Sequence, residues 1–257
     1  MNCQDQIYSE EYCDFIGNRS LIESKYTLDC KQPLGAMFAS LYLKLSYGYE
    51  DGTVYGYYNI PKLFGLQDTG SMESSGILQV RENSDLKLDG SSVLIGFVDT
   101  GIDYAGSIFL KQDGTTRVTA IWDQTIPAGS PIRLPVQPEL SETLENITRT
   151  PEGFLYGSEF THEQLNAAVK MEDAYEGISS RDEIGHGTFL ASIAAGNELP
   201  DGSFTGAAPK ADIAMVKLKP AKNRLRAYYQ IKEDAVAYQE NDIMAGVLYL
   251  VSLAKKR

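Results

Sequence analysis

Apolar residues without alternation fill residues 93–98 (VLIGFV) and 212–218 (DIAMVKL). Such runs suit strands of a parallel sheet that are covered on both faces. Residues 117–122 (RVTAIW) read as another strand. In residues 182–196 (DEIGHGTFLASIAAG) the spacing becomes helical: Phe189, Leu190, Ile193 and Ala194 share a stripe, and Gly196 is a stop signal. Residues 161–164 (THEQ) form a capping-box pattern and predict a helix through about Met171. Residues 233–255 predict a long amphipathic helix on which Ala237, Ile243, Val247, Leu250 and Leu253 share a face. Lys255 and Lys256 at its end suit the helix dipole.

The first part of the chain is patterned differently. Ser9, Glu10 and Glu11 predict a helix start, with Tyr12, Phe15 and Ile16 on one face. Residues 36–47 (AMFASLYLKLSY) alternate in part and suggest a strand, although their first half could equally begin a helix. A turn at Asp51-Gly52 precedes an aromatic, β-favouring run over residues 53–60, closed by Pro61. Residues 63–75 (LFGLQDTGSMESS) are rich in turn formers and mark the predicted boundary, with a short helix near residues 72–76. Residues 126–153 hold five of the ten prolines and read as surface loop. The pattern divides the chain into a small α+β unit over residues 1–67 and a larger α/β domain over residues 68–257.

Composition narrows the function classes. With 23 basic and 35 acidic side chains the net charge is −12, which disfavours sequence-independent binding to nucleic acid or an anionic membrane. No apolar run approaches the roughly 20 residues that span a bilayer. The first residues carry acids where an export signal carries lysines and an apolar core, so no signal peptide is readable and a cytoplasmic location is expected. For the same reason the sequon at Asn146 is discounted. Cys3, Cys13 and Cys30 have no CxxC spacing and no histidine nearby, so they are expected to be reduced thiols rather than zinc ligands.

Candidate chemistry centres on two residues. Asp99 closes the first unalternating strand, and the carboxyl ends of parallel strands are where open α/β sheets place their sites. His186 stands between two glycines at the start of a predicted helix, which would hold a base rigidly while the glycines admit close approach. The other histidine, His162, falls in a helix cap and reads as a solvated helix-start residue.

Three segments in order, LIGFVDTGID, DEIGHGTFLASIAAG and GAAPKADIAMVKL, resemble the subtilisin-like serine proteases, the subtilases. The resemblance implies a subtilisin-like parallel sheet flanked by helices. It also implies peptide-bond hydrolysis by an Asp-His-Ser triad, with Asp99 as the aspartate and His186 as the histidine. Their carboxylate and nearer ring nitrogen should then lie within about 3.5 Å. The 87 positions between them (186 − 99) and the AIWDQT stretch resemble a clostridial branch that includes the spore-germination proteases, which makes a spore-associated location the other expectation. LFGLQDTGSMESSGI resembles that branch's propeptide junction, making residues 1–67 propeptide-like.

The nucleophile motif of the family, G-T-S-x-A opening a helix, does not occur. After His186 the serines are Ser192, Ser203 and Ser252, and none lies in a glycine-rich elbow. The chain therefore reads as the N-terminal part of a subtilase, incomplete at the C-terminus, inactive alone, and leaving an unpaired sheet edge and an apolar face. Expected partners are a protein or peptide substrate and the missing C-terminal part of the same protein. No cofactor is expected; structural calcium is common in the family, but no residue here can be assigned to it. A catalytically dead subtilase-like binding or regulatory module is the alternative. An aspartic protease fits poorly: the two Asp-Thr-Gly triplets, at 68–70 and 99–101, are only 31 positions apart (99 − 68).

Overall fold

A computed structural model describes residues 2–21, 30–44, 56–64, 88–135, 147–201 and 204–257. Its strands are β1 (Tyr12–Asn18), β2 (Lys31–Leu34), β3 (Phe38–Lys44), β4 (Leu63–Phe64), β5 (Leu94–Asp99), β6 (Val118–Asp123), β7 (Ser158–Thr161), β8 (Asp212–Lys217) and β9 (Tyr238–Gln239). The principal helices are α1 (Cys3–Tyr8), α2 (His162–Val169), α3 (Ala174–Gly177), α4 (His186–Ala195), α5 (Asn223–Tyr228) and α6 (Glu240–Lys255). No described helix is long and apolar enough to cross a membrane. The chain forms two compact units, one of residues 1–66, 150–157 and 218–257, the other of residues 67–149 and 158–217.

The second unit carries the α/β sheet. Its strand order is β5-β8-β6-β7. β8 runs parallel to β5 and β6, in a register that aligns Asp99, Lys217 and Asp123 at the strand ends, while β7 is antiparallel to β6. Central β8 buries Ile213, Ala214, Met215 and Val216 completely, as its unalternating sequence predicts. β5, with the same kind of sequence, is an edge strand among the described residues and only half-buried. Its apolar run thus reports the character of the strand without its coverage.

Helix α2 begins at the expected capping box, with Thr161 and Gln164 bonding reciprocally. Helix α4 turns a different face inward from the one predicted. Gly187, Ala191 and Ala195 are buried, while Phe189 is 48% exposed. Small residues let this helix lie close to the sheet, so size and not hydrophobicity selects the inward face. At its other end the buried Arg117 donates to the carbonyls of Ala195 and Ile108 and, at 2.8 Å, to that of Ala211. A cation there complements the helix C-terminus.

The first unit contains the antiparallel sheet β1-β3-β2. The helix predicted from Ser9 is β1: Cys13 and Phe15 turn into a core with Ala39, Leu41, Ile60 and Leu225. The helix lies earlier, as α1, capped by Asn2 and Asp5. Residues 57–59, predicted as strand, form a short 3₁₀ turn. Residues 65–87, with most of the predicted boundary and its short helix, lie outside the described residues.

The C-terminal helix begins at Glu240, not near residue 233, because Tyr238 and Gln239 pair with Phe64 and Leu63 as a strand. Its buried stripe is Asn241, Asp242, Ala245, Gly246 and Tyr249, leaving Val247 exposed. Asp242 is drawn inward by Lys219 Nζ at 2.6 Å and the Tyr156 hydroxyl at 2.9 Å. Buried Asp14 of β1 is held similarly, by Lys222 Nζ at 2.5 Å, Gln239 Nε2 at 2.9 Å and Asn241 Nδ2 at 3.1 Å. Cys3 and Cys30 are joined in a disulfide, which overturns the expectation of three reduced thiols; Cys13 is free and buried. The pairing was not legible because it depends on α1 bringing Cys3 beside the start of β2.

Candidate active site

Two short turns bring the candidate residues together. After Asp99 the chain turns through Gly101, whose φ of +129° suits glycine. Before His186, Gly185 is left-handed (φ +89°) and stands at the N-cap of α4. A Cβ on Gly187 would overlap the carbonyl oxygen of Gly101 and approach Asp99 Cβ to 3.2 Å. The second glycine of Gly-His-Gly is thus fixed by packing: it lets the helix start press against the end of β5.

His186 Nδ1 lies 2.8 Å from Asp99 Oδ1. The two side chains are 16% and 12% exposed, enough shielding to strengthen their attraction while leaving access. Asp99 Oδ1 also accepts the Thr100 amide at 2.7 Å. A carboxylate only accepts, so Nδ1 carries the proton in this contact. A neutral imidazole then has its lone pair on Nε2, the atom that can take a proton from a hydroxyl. The arrangement therefore suits a general base whose tautomer is held by the acid.

Around the pair lies a set of polar contacts that the sequence reading did not single out. Asp182 accepts hydrogen bonds from the Thr100 hydroxyl and the Gly185 amide on one oxygen. Its other oxygen accepts from the Thr188 amide and hydroxyl. Burial pushes its carboxyl pKa up, but these bonds outweigh burial and hold it below the usual carboxylate value. Buried Lys217 donates to the Arg181 carbonyl and to Glu183, each at 2.6 Å. The only available sequence signal was that Asp182 stands four places ahead of His186.

The remaining described candidates have other hydrogen-bond partners. His162 is not solvated as expected: it is partly buried, with Nε2 3.0 Å from the Thr116 carbonyl. Ser192 donates to the Thr188 carbonyl of its own helix at 2.8 Å, and Ser252 likewise to Tyr249 at 2.7 Å. Ser203, Asn146 and the triplet at 68–70 are outside the described residues. No three His, Cys, Asp or Glu side chains among the described residues gather as a metal site.

The sequence profile of the subtilase family matches residues 90–245. The chain is 28% identical over 166 residues to subtilisin-like protease SBT3.5 of Arabidopsis thaliana, covering 62% of this chain and 19% of that protein. It is 31% identical over 136 residues to SBT3.8 of the same plant, covering 50% of this chain and 16% of the other. The chain thus spans less than a fifth of the length of either relative. Among solved structures, the Clostridium perfringens CspB protease is 27% identical, covers 72% of this chain and 30% of its own, and superposes with a TM-score of 0.48.

Proposed function

Because the chain belongs to the subtilase family, we propose that Asp99 and His186 are the acid and base of a subtilisin-like serine endopeptidase. One observation carries the reading: the 2.8 Å contact of His186 Nδ1 with Asp99 in a shielded position. The nucleophile is a serine in sequence outside residues 1–257, since no G-T-S-x-A motif occurs within them. Residues 1–67 act as a propeptide-like unit. AIWDQT and the long Asp99–His186 interval support placement near the clostridial germination-protease branch.

The chemistry is acyl transfer. The serine oxygen attacks the peptide carbonyl carbon as His186 Nε2 takes the hydroxyl proton. The tetrahedral oxyanion collapses, the C–N bond breaks, and the leaving amine receives that proton from Nε2. Water then attacks the acyl-enzyme by the same proton path, releasing the acid and restoring the serine. Asp99 stays ionised throughout, orienting the imidazole and stabilising its charged form.

The test compares the 257-residue chain with the product of its full reading frame, using peptide hydrolysis and a fluorophosphonate label. The chain alone should neither cleave nor label. The longer product should do both, and His186→Ala should abolish both. Cleavage by the 257-residue chain that disappears with His186→Ala would place the nucleophile inside it. A full-length product that lacks the motif and stays unlabelled would mean a binding module instead.

A further inference from the structure

Asp182 joins the two turns that carry the candidate pair. Its Oδ1 accepts from Thr100 Oγ1 at 2.7 Å and the Gly185 amide at 2.8 Å. Its Oδ2 accepts from the Thr188 amide at 2.8 Å and Thr188 Oγ1 at 2.7 Å. Each partner extends the link. Thr100 Oγ1 accepts the Gly187 amide at 2.8 Å, and Thr188 Oγ1 accepts the Asp103 amide at 2.9 Å. One carboxylate thus holds the residue after Asp99 and the residues on both sides of His186. Four donors match the acceptor capacity of a carboxylate. The segment is braced from its flanks as well, because Lys217 holds the Arg181 carbonyl and the Glu183 carboxylate.

An ordinary helix cap satisfies the amides of its own first turn. Asp182 does that through Gly185 and Thr188, but it also grips Thr100 on a different element, next to the acid. We propose that Asp182 is a positioning residue, which sets the His186 imidazole against Asp99 by clamping the turn after β5 to the first turn of α4. This rests on the reading of Asp99 and His186 as a proton-handling pair. Asp182 acts through the imidazole and is not itself a catalytic residue.

The test is a pair of NMR titrations on the 257-residue chain with labelled histidine, the His162 signal being identified with His162→Gln. Asp99→Asn should lower the His186 titration midpoint by roughly one pH unit or more, as expected on loss of an adjacent opposite charge. Asp182→Asn should lower it as well. Its effect should largely vanish in an Asp99→Asn background, because loss of alignment matters only while Asp99 is charged. Thr100→Val, which removes the link to Asp182 without changing any charge, should lower the midpoint in the same direction, and it carries the comparison if Asp182→Asn does not fold. An Asp182→Asn shift of equal size in both backgrounds, or no shift with Thr100→Val, would overturn positioning and leave the pair intact. A midpoint unmoved by Asp99→Asn would remove the pair itself, and the role of Asp182 with it.

Discussion

The carbonyl of Gly101 and the α-carbon of Gly187 are so close that residue 187 has no room for a Cβ. Gly187→Ala sets a methyl group against rigid backbone and against Asp99 Cβ. Urea denaturation should show a loss of about 1–3 kcal/mol, the usual cost of overpacking. The His186 titration should fall in parallel as the helix start moves away from the acid. An alanine variant of unchanged stability and titration would show that the contact does not constrain the pair.

Acid should weaken this region in a defined direction. The folded pKa of Asp182 lies below its ordinary value of 3.8, so the folded state binds fewer protons there than the unfolded state. Its contribution is complete above the unfolded value and drains away as pH falls through the folded one. Asp182→Asn should therefore be less stable than wild type at neutral pH, with the two curves converging as pH falls below 3.8. Urea midpoints across that range test it, and parallel curves would contradict the assignment.

Thiol counting tests the cysteine pairing. Burial raises the Cys13 thiol pKa, so native protein should react slowly with iodoacetamide. Denatured, unreduced protein should expose one thiol and reduced protein three, given the single disulfide between Cys3 and Cys30. Three thiols without reduction would exclude the bond.

The buried ion pair of Asp14 and Lys222 should behave asymmetrically. Lys222→Met alone leaves a carboxylate without its ammonium partner in the interior and should cost about 3–5 kcal/mol. Adding Asp14→Leu should recover part of that loss, since a matched apolar pair avoids desolvation. Urea unfolding of both variants decides it. A double variant no more stable than Lys222→Met would overturn this expectation.

The α/β part was largely legible because its signals are local. Unalternating runs marked β5 and β8, and the capping box marked the start of α2 to the residue. The closeness of Asp99 and His186 came from motif resemblance, not from periodicity. What escaped the sequence depends on distant partners. β1 looked helical because Tyr12, Phe15 and Ile16 are spaced three and four apart, and only pairing with β3 selects the strand, in which Cys13 and Phe15 turn inward instead. Val247 looked like core because periodicity sees hydrophobicity and is blind to the Lys219 and Tyr156 partners that turn Asp242 inward. Asp182 was invisible as a clamp because its Thr100 partner is 82 positions away.

The grip on Asp14 also sets a timetable. Its partners at 222, 239 and 241 lie 208, 225 and 227 positions downstream. At ribosomal speeds of about 5–20 residues per second, Asp14 is made roughly ten to forty-five seconds before these partners are. Through that interval Asp14 lacks these three partners. The first strand thus completes its buried contacts only after residue 241 has been made.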